Sequence, residues 1–306
     1  MIEVENLVKR YGNVTAVKGI NFRVEPGEIV GLLGPNGAGK TTTMRMLTGF
    51  MPPSEGTIKI CGFDILEDSM SVRQRVGYMP ERVPVYPDMT VEGYVTFWAK
   101  LRGVRDVRAR VHAVLGQFQL LDRRKQLIRF LSKGLRQRLG LAQALVHQPQ
   151  VIILDEPTIG IDPRQVIEVR EAVRSLREGH AVLFSSHILS EIEQVCDRVI
   201  IIHHGQIVGE GTPEMLSRQL AHRQQIFLVV EGGSDARISA FLKKIPDVVQ
   251  VRAMDDGFLL TTTSETDLRP TLSRLVTKEG FTIVEMRAVD ASLEDVFLTL
   301  TGKKQA

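Results

Sequence analysis

The 306-residue chain has little of three things. Cysteine occurs only at Cys61 and Cys196, far apart and without companions at metal-ligand spacing. That excludes a disulfide framework or a cysteine-held metal as the basis of the fold, and reads as reduced thiols in a cytoplasmic protein. Long apolar runs are also missing. None approaches the roughly 18 residues of a membrane helix, so any spanning part of an assembly is expected on another chain. The start, Met1-Ile2-Glu3-Val4-Glu5, carries acids and alternation where a signal peptide has a basic segment and an apolar run. Net charge is the third scarcity, +3 in all, and does not by itself argue for a nucleic-acid partner. Basic residues gather between Arg102 and Arg138, as solvated helix faces would place them.

What is present is ordinary in bulk. At 43% hydrophobic and 25% charged, the chain can build cores for about two domains. One stretch stands apart. Gly34-Pro35-Asn36-Gly37-Ala38-Gly39-Lys40-Thr41 matches G-x-x-x-x-G-K-[ST], the phosphate-binding loop. A short apolar strand, Glu28 to Leu33, precedes it, and Thr42 to Leu47 continues it as a helix. Glycines let such a loop turn its N–H groups inward, into an anion nest at a helix start. Lys40 would reach the β- and γ-phosphates of a nucleotide, and the Thr41 hydroxyl would hold Mg²⁺.

Around this loop, Ile2 to Val8 and Gly19 to Val24 read as strands, with Tyr11 and Val17 in the connection between them. A turn cluster, 51–56, leads to a strand over 57–60. From about 88 to 147 helical spacing takes over. Thr90 reads as an N-cap, and Val91, Tyr94, Val95 and Trp98 fall at i, i+3, i+4, i+7, so this stretch is expected to be an inserted helical subdomain. Strands at 151–154, 181–184 and 198–202 then alternate with helices at 164–177 and 188–195. The fold class is therefore α/β, with a mainly parallel sheet covered on both faces. The polar stretch Ala221 to Gln225 sets an expected boundary between a domain 1–220 and a domain 221–306. In the latter the element order is βαββαβ with a last helix over 292–300, the ferredoxin-like arrangement.

Asp155-Glu156 closes the apolar strand 151–154. Downstream of a phosphate loop, an aspartate so placed supports Mg²⁺ opposite the loop threonine, and a glutamate next to it can orient and deprotonate water. Glu156 can also be read as a cap for the turn into Pro157. Five stretches now stand in order. Tyr11, the loop at Gly34 to Thr42, Leu131-Ser132-Lys133-Gly134-Leu135, Glu156-Pro157-Thr158-Ile159-Gly160-Ile161-Asp162-Pro163 and Ser185-Ser186-His187 together resemble the motifs of ATP-binding cassette (ABC) ATPases over 1–220. The stretch 79–91 and the tail 292–298 resemble bacterial export-type cassettes of the multidrug, antibiotic-resistance and gliding-motility kind.

The resemblance implies a P-loop NTPase cassette with a β subdomain, using ATP and Mg²⁺. Two cassettes, alike or different, would pair head to tail. ATP would lie between the loop of one (Gly34, Pro35, Asn36, Gly37, Ala38, Gly39, Lys40, Thr41, Thr42, with Tyr11 stacked on adenine) and Ser132 and Gly134 of the other. Glu156 would act as general base and His187 would contact the γ-phosphate, while Thr41, Asp155 and Glu81 would surround the metal. Asp162 would line the dimer interface; it reads equally as the N-cap of the helix after Pro163. Two departures stand out. Lys133 and Leu135 replace the usual glycine and glutamine of the signature, and Glu81 replaces a usual glutamine. Glu81 would either ligate Mg²⁺ or water, or be an exposed loop acid. The implied function is the ATPase subunit of an exporter, peripheral on the inner face of the membrane and bound to a separate permease chain. The alternative is a soluble cassette acting on nucleic acid or ribosomes. Such proteins carry paired cassettes or a long coiled coil, and this sequence has one cassette and no heptad run.

Overall fold

In the computed structural model, which describes residues 1–219, 225–254, 256–262, 267–289 and 297, the alternating N-terminus forms β1 (Ile2–Tyr11). Ile2, Val4 and Leu7 point inward while Glu3 and Glu5 face solvent, the period-two pattern of a strand with one buried face. The pattern slips at Asn6, where the register with both neighbours shifts and φ is 48°. This is a bulge that keeps Leu7 pointing inward. β1 pairs antiparallel with β2 (Val14–Val24). The second strand thus starts well before Gly19, and Val17, expected in a connection, is a fully buried strand residue. β3 (Ile29–Leu33) and α1 (Lys40–Leu47) follow. β4 (Glu55–Ile60) then returns to the other edge of β1, and β5 (Phe63–Asp64) completes an antiparallel sheet in the order β2-β1-β4-β5.

Two elements that periodicity did not announce come next, α2 (Ser69–Arg75) and β6 (Val76–Met79). The helical stretch comprises α3 (Val91–Leu101), α4 (Val107–Gln117) and α5 (Lys133–Leu145). Thr90 caps α3 as expected, its hydroxyl accepting the Gly93 N–H at 3.0 Å. Val91, Tyr94 and Val95 are fully buried. The far end of α5 is closed by Arg110, whose guanidinium donates to the Val146 and Leu145 carbonyls at 3.0 and 2.7 Å, satisfying acceptors that a helix end leaves open.

The alternation that follows gives β7 (Val151–Asp155), α6 (Pro163–Arg174), β8 (Ala181–Ser186), α7 (Leu189–Val195), β9 (Arg198–His203) and β10 (Gln206–Gly211). The six-stranded order is β10-β9-β3-β8-β7-β6, and β3, β6, β7, β8 and β9 run parallel. Every residue of β3, β7 and β8 is buried, as expected for strands covered on both faces. Register then decides what meets. Leu33 is level with Ser186 and Asp155 with Ser185. The phosphate loop, Asp155-Glu156 and Ser186-His187 therefore leave the sheet side by side at its C-terminal edge, where open α/β sheets bind ligands.

The chain divides into two compact units, Met1–Glu210 and Gly211–Ala306. The division falls before α8 (Pro213–Gln219), where the sequence reading set its boundary after that helix. Of the polar stretch 221–225, only Gln225 is described, at the start of β11 (Gln225–Glu231). The second unit continues with α9 (Asp235–Leu242), β12 (Val248–Met254), β13 (Gly257–Thr262), α10 (Arg269–Lys278) and β14 (Thr282–Val289). Its sheet is antiparallel in the order β12-β13-β11-β14. The core is apolar, with Ile226, Leu228, Ile238, Leu242, Phe258, Leu260, Leu272, Val276 and Phe281. The helix expected over 292–300 lies outside the described residues apart from Phe297.

Candidate active site

The loop between β3 and α1 runs against other backbone, which is why glycine is needed. A Cβ on Gly34 would lie 2.4 Å from the Ile202 carbonyl oxygen, and one on Gly39 would lie 2.9 Å from that of Ala16. Gly39, with φ 112°, caps α1, and Gly37 has φ 80°. Pro35, Asn36 and Ala38 complete the turn, the Ala38 N–H donating to the Pro35 carbonyl at 3.1 Å. The Lys40 side chain, 6% exposed, folds back to donate to the Gly34 carbonyl at 2.6 Å. It also pairs with Glu156 Oε1 at 3.2 Å. Thr41 donates to Asp155 Oδ1 at 3.4 Å, and Thr42 follows in the first turn of α1.

Asp155 sits at the end of a fully buried strand, and Ser185 binds it from the next strand at 2.8 Å. The same Ser185 oxygen accepts the Glu156 N–H at 3.0 Å. Burial raises the Asp155 carboxyl above its ordinary range. The Ser185 and Thr41 hydrogen bonds oppose this, and the nearby charges of Glu156 and Glu81 add to it. Its second oxygen, Oδ2, is buried without a hydrogen-bond partner. Glu156 has φ 50°, a conformation costing a non-glycine residue about 1–3 kcal/mol. The turn aims its carboxylate at Lys40 on one side and at His187 Nδ1, 2.7 Å away, on the other. Three groups far apart in sequence thus form one chain, Lys40–Glu156–His187, beside Thr41–Asp155.

These residues suit a hard divalent cation. A buried, unpartnered carboxylate oxygen next to a threonine hydroxyl offers oxygen donors and negative charge. Mg²⁺ is commonly held by one or two carboxylates with waters and substrate phosphates. Among the described residues no cluster of three or more His, Cys, Asp or Glu forms a metal cage.

The other expected site residues lie elsewhere. Tyr11 ends β1, 46% exposed, with its hydroxyl donating to Met51 Sδ at 3.0 Å. It is therefore not a buried side chain. Glu81 is exposed, yet close enough for its charge to act on Asp155. Ser132 and Gly134 open α5, and no described hydrogen bond or ion pair joins them to the phosphate loop. Ser132 accepts the Leu135 N–H at 3.3 Å. The carboxamide of Gln165 covers Gly134 so closely that a Cβ there would fall 1.8 Å from its oxygen. Lys133 lies along the loop before α6, where a Cβ on Gly160 would fall 2.3 Å from its ammonium. Asp162 is the N-cap of α6, accepting from the Arg164 and Gln165 N–H groups at 3.1 Å each.

Comparison with known proteins gives the family. Residues 17–159 match the family model described as ABC transporter. The chain is 34% identical over 99% of its length, and 99% of the relative's, to the linearmycin resistance ATP-binding protein LnrL of Bacillus subtilis (strain 168). It belongs to the ABC transporter ATP-binding proteins. The chain is also 36% identical, over 99% of its own length and 97% of the relative's, to the Nod factor export ATP-binding protein I of Burkholderia orbicola (strain AU 1054). A solved ATP-binding subunit of an ABC transporter superposes with a TM-score of 0.67 at 31% identity, covering 72% of this chain and 93% of that one. The cassette is an ATP-binding ATPase. Among its described residues no helix is long and apolar enough to cross a membrane.

Sequence reasoning named Ser185 only within the stretch ending at His187 and gave it no role, and it passed over Gln165 and Glu191. Ser185 could have been found by asking which donors are level with Asp155 on the neighbouring strand. Gln165 and Glu191 sit at ordinary helical positions, and nothing local marks them.

Proposed function

We propose that this cassette hydrolyses ATP at a site completed by a second cassette and drives export through a separate membrane chain. The observation that carries the reading is the Lys40–Glu156–His187 chain beside Thr41–Asp155, at the C-terminal edge of a parallel sheet. Backbone N–H groups of the loop and the start of α1 receive the phosphates. Lys40 exchanges the Glu156 carboxylate for phosphate oxygen, which frees Glu156 to accept a proton from water. His187 Nδ1 holds that carboxylate in direction, and Nε2 is left to face the γ-phosphate. Thr41 and Asp155, with Glu81 at the margin, are the residues that would hold Mg²⁺, which when bound neutralises charge on the β- and γ-phosphates.

Ser132 and Gly134 then serve the phosphate held by the partner. The Ser132 oxygen already accepts from Leu135 N–H, so its own proton is available to an anion. The N–H groups of the first turn of α5 face the same way as its dipole. Gln165 has to clear Gly134 for that contact. Asp162 lines the interface while capping α6, and Tyr11 is exposed enough to stack on adenine. The relatives' names, resistance to linearmycin and export of Nod factor, support outward transport. Such a subunit is peripheral on the inner face of the membrane. The element and strand order of the second unit supports a ferredoxin-like fold, with a regulatory or dimer-stabilising role.

The test is Glu156→Gln. Phosphate release stops and ATP drives an elution shift to dimer; unchanged phosphate release refutes the assigned base. A purified native complex without an integral membrane protein would overturn the transport reading.

A further inference from the structure

Glu191, in the first turn of α7, is 1% exposed and takes no part in the chemistry described above. A carboxylate is seldom buried unless its charge is satisfied. Here a single oxygen, Oε2, accepts two hydroxyls, from Thr158 at 2.7 Å and from Ser186 at 2.8 Å. Both donors are buried. Thr158 lies two residues after Glu156, and Ser186 lies immediately before His187. Ser186 also accepts the Ile188 N–H at 2.9 Å, so its oxygen fixes the backbone on both sides of the histidine.

We propose that Glu191 is the positioning residue that sets base against histidine, by pinning the two segments that carry them to one carboxylate oxygen. The inference rests on the reading of Glu156 and His187 as the reacting pair. Their direct contact is 2.7 Å, and the Glu191 bridge closes a second connection behind it. Hydroxyl bonds to a carboxylate are about twice as strong as neutral ones, which suits a clamp. Charge neutralisation does not explain the residue as well. Its nearest described cation, Arg170, stands 3.8 Å from Oε1. That guanidinium is engaged with Gln194 at 2.7 Å and has a buried Nε without a partner. For packing alone, an apolar side chain of similar volume would serve as well or better than such a charge. Lys40 and Thr41 are not in this network, so the effect belongs on turnover and not on ATP affinity.

The experiment measures steady-state hydrolysis and nucleotide affinity in the purified full chain. Glu191→Ala is expected to lower kcat by roughly 100-fold, as small misplacements of reacting groups do, with KM for ATP changed less than about threefold. Glu191→Gln keeps a carbonyl oxygen for both hydroxyls and recovers most of the loss. Thr158→Val and Ser186→Ala each lower kcat alone, and neither lowers it further in the Glu191→Ala background. Wild-type kcat in Glu191→Ala, a matching loss of nucleotide affinity, or effects that multiply across the three positions would each overturn the proposal. Should Glu191→Ala not fold, the two hydroxyl variants decide it, and wild-type kcat in both overturns it. Glu156→Gln is run alongside. Hydrolysis surviving there removes the underlying reading, whereas a dead Glu156→Gln with an unaffected Glu191→Ala removes this inference alone.

Discussion

In the first unit Lys40, Asp155, Glu156 and Glu191 are all 6% exposed or less, gathered at and just behind the C-terminal edge of one parallel sheet. In the second unit the buried polar side chains among the described residues are Gln225 and Thr262, and neither is charged. Both units have apolar cores. The difference is what the proposed catalytic site costs a fold. One unit spends part of its hydrophobic stabilisation on desolvated charge held by a few specific partners, and the other keeps its core for packing. Stability in the first should therefore respond to single polar substitutions as strongly as the second responds to cavities.

The largest expected effect tests that directly. Lys40→Ala leaves Glu156 buried with only His187 beside it. It should destabilise the first unit by about 3–5 kcal/mol, the usual result of breaking a buried pair from one side. Lys40→Met combined with Glu156→Gln should recover much of that loss in urea unfolding, since no lone charge remains. If the single change is harmless, the buried pair is not what the first unit must hold together. Next in size, Leu260→Ala in the second unit should cost about 3 kcal/mol by opening a cavity in a dry core. No charge change nearby should restore it, and only a volume-matched replacement should. A midpoint shift recovered by a polar substitution would erase the contrast.

A third effect concerns His147, between the helical subdomain and the main sheet. Its Nε2 donates to the Val76 carbonyl at 3.1 Å, and burial lowers its pKa to about 4, with the charges of Arg102 and Arg110 adding to this. A base whose folded pKa is depressed contributes stability above its unfolded pKa and loses it as pH falls through the folded value. First-unit stability should therefore decline by about 2 kcal/mol between roughly pH 6.5 and 4. His147→Gln, which keeps a donor for Val76, should flatten that slope. An unchanged slope would show that the loss comes from other groups. The smallest effect is at Asp162. Asp162→Asn keeps a cap and should be nearly neutral to stability, whereas Asp162→Ala should cost about 1 kcal/mol. If both variants hydrolyse ATP at the wild-type rate, capping is the larger of its two roles.

Legibility in the sequence followed the same division between local and distant. The phosphate loop was plain because Gly34 to Thr41 are contiguous and each obeys a local constraint. Thr90 and Asp162 were legible as caps for the same reason. β6 was missed because four residues with a glycine give no period. Gly77 is there to admit the backbone of α5, a Cβ on it falling 2.2 Å from the Ala144 carbonyl oxygen, which is a tertiary reason. The early start of β2 was hidden by the register shifts that bend β1. At the site, Lys40, Glu156 and His187 could be named by resemblance, but their pairing depends on strand register. The Glu191 bridge was out of reach altogether. Thr158, Ser186 and Glu191 are unremarkable singly, and only the packing of α7 behind β8 brings them to one point.

The turn at Glu156 carries a last consequence. With φ at 50°, glycine or asparagine would be more comfortable there than glutamate. Selection for a durable fold alone would steadily replace this acid. A copy of the gene released from its duty should lose the Glu156 side chain early, while its core still reads as intact. On the role proposed for Glu156, a sound phosphate loop followed by a substituted residue 156 among decayed descendants of such a cassette would mark a protein that still binds ATP and has stopped using it.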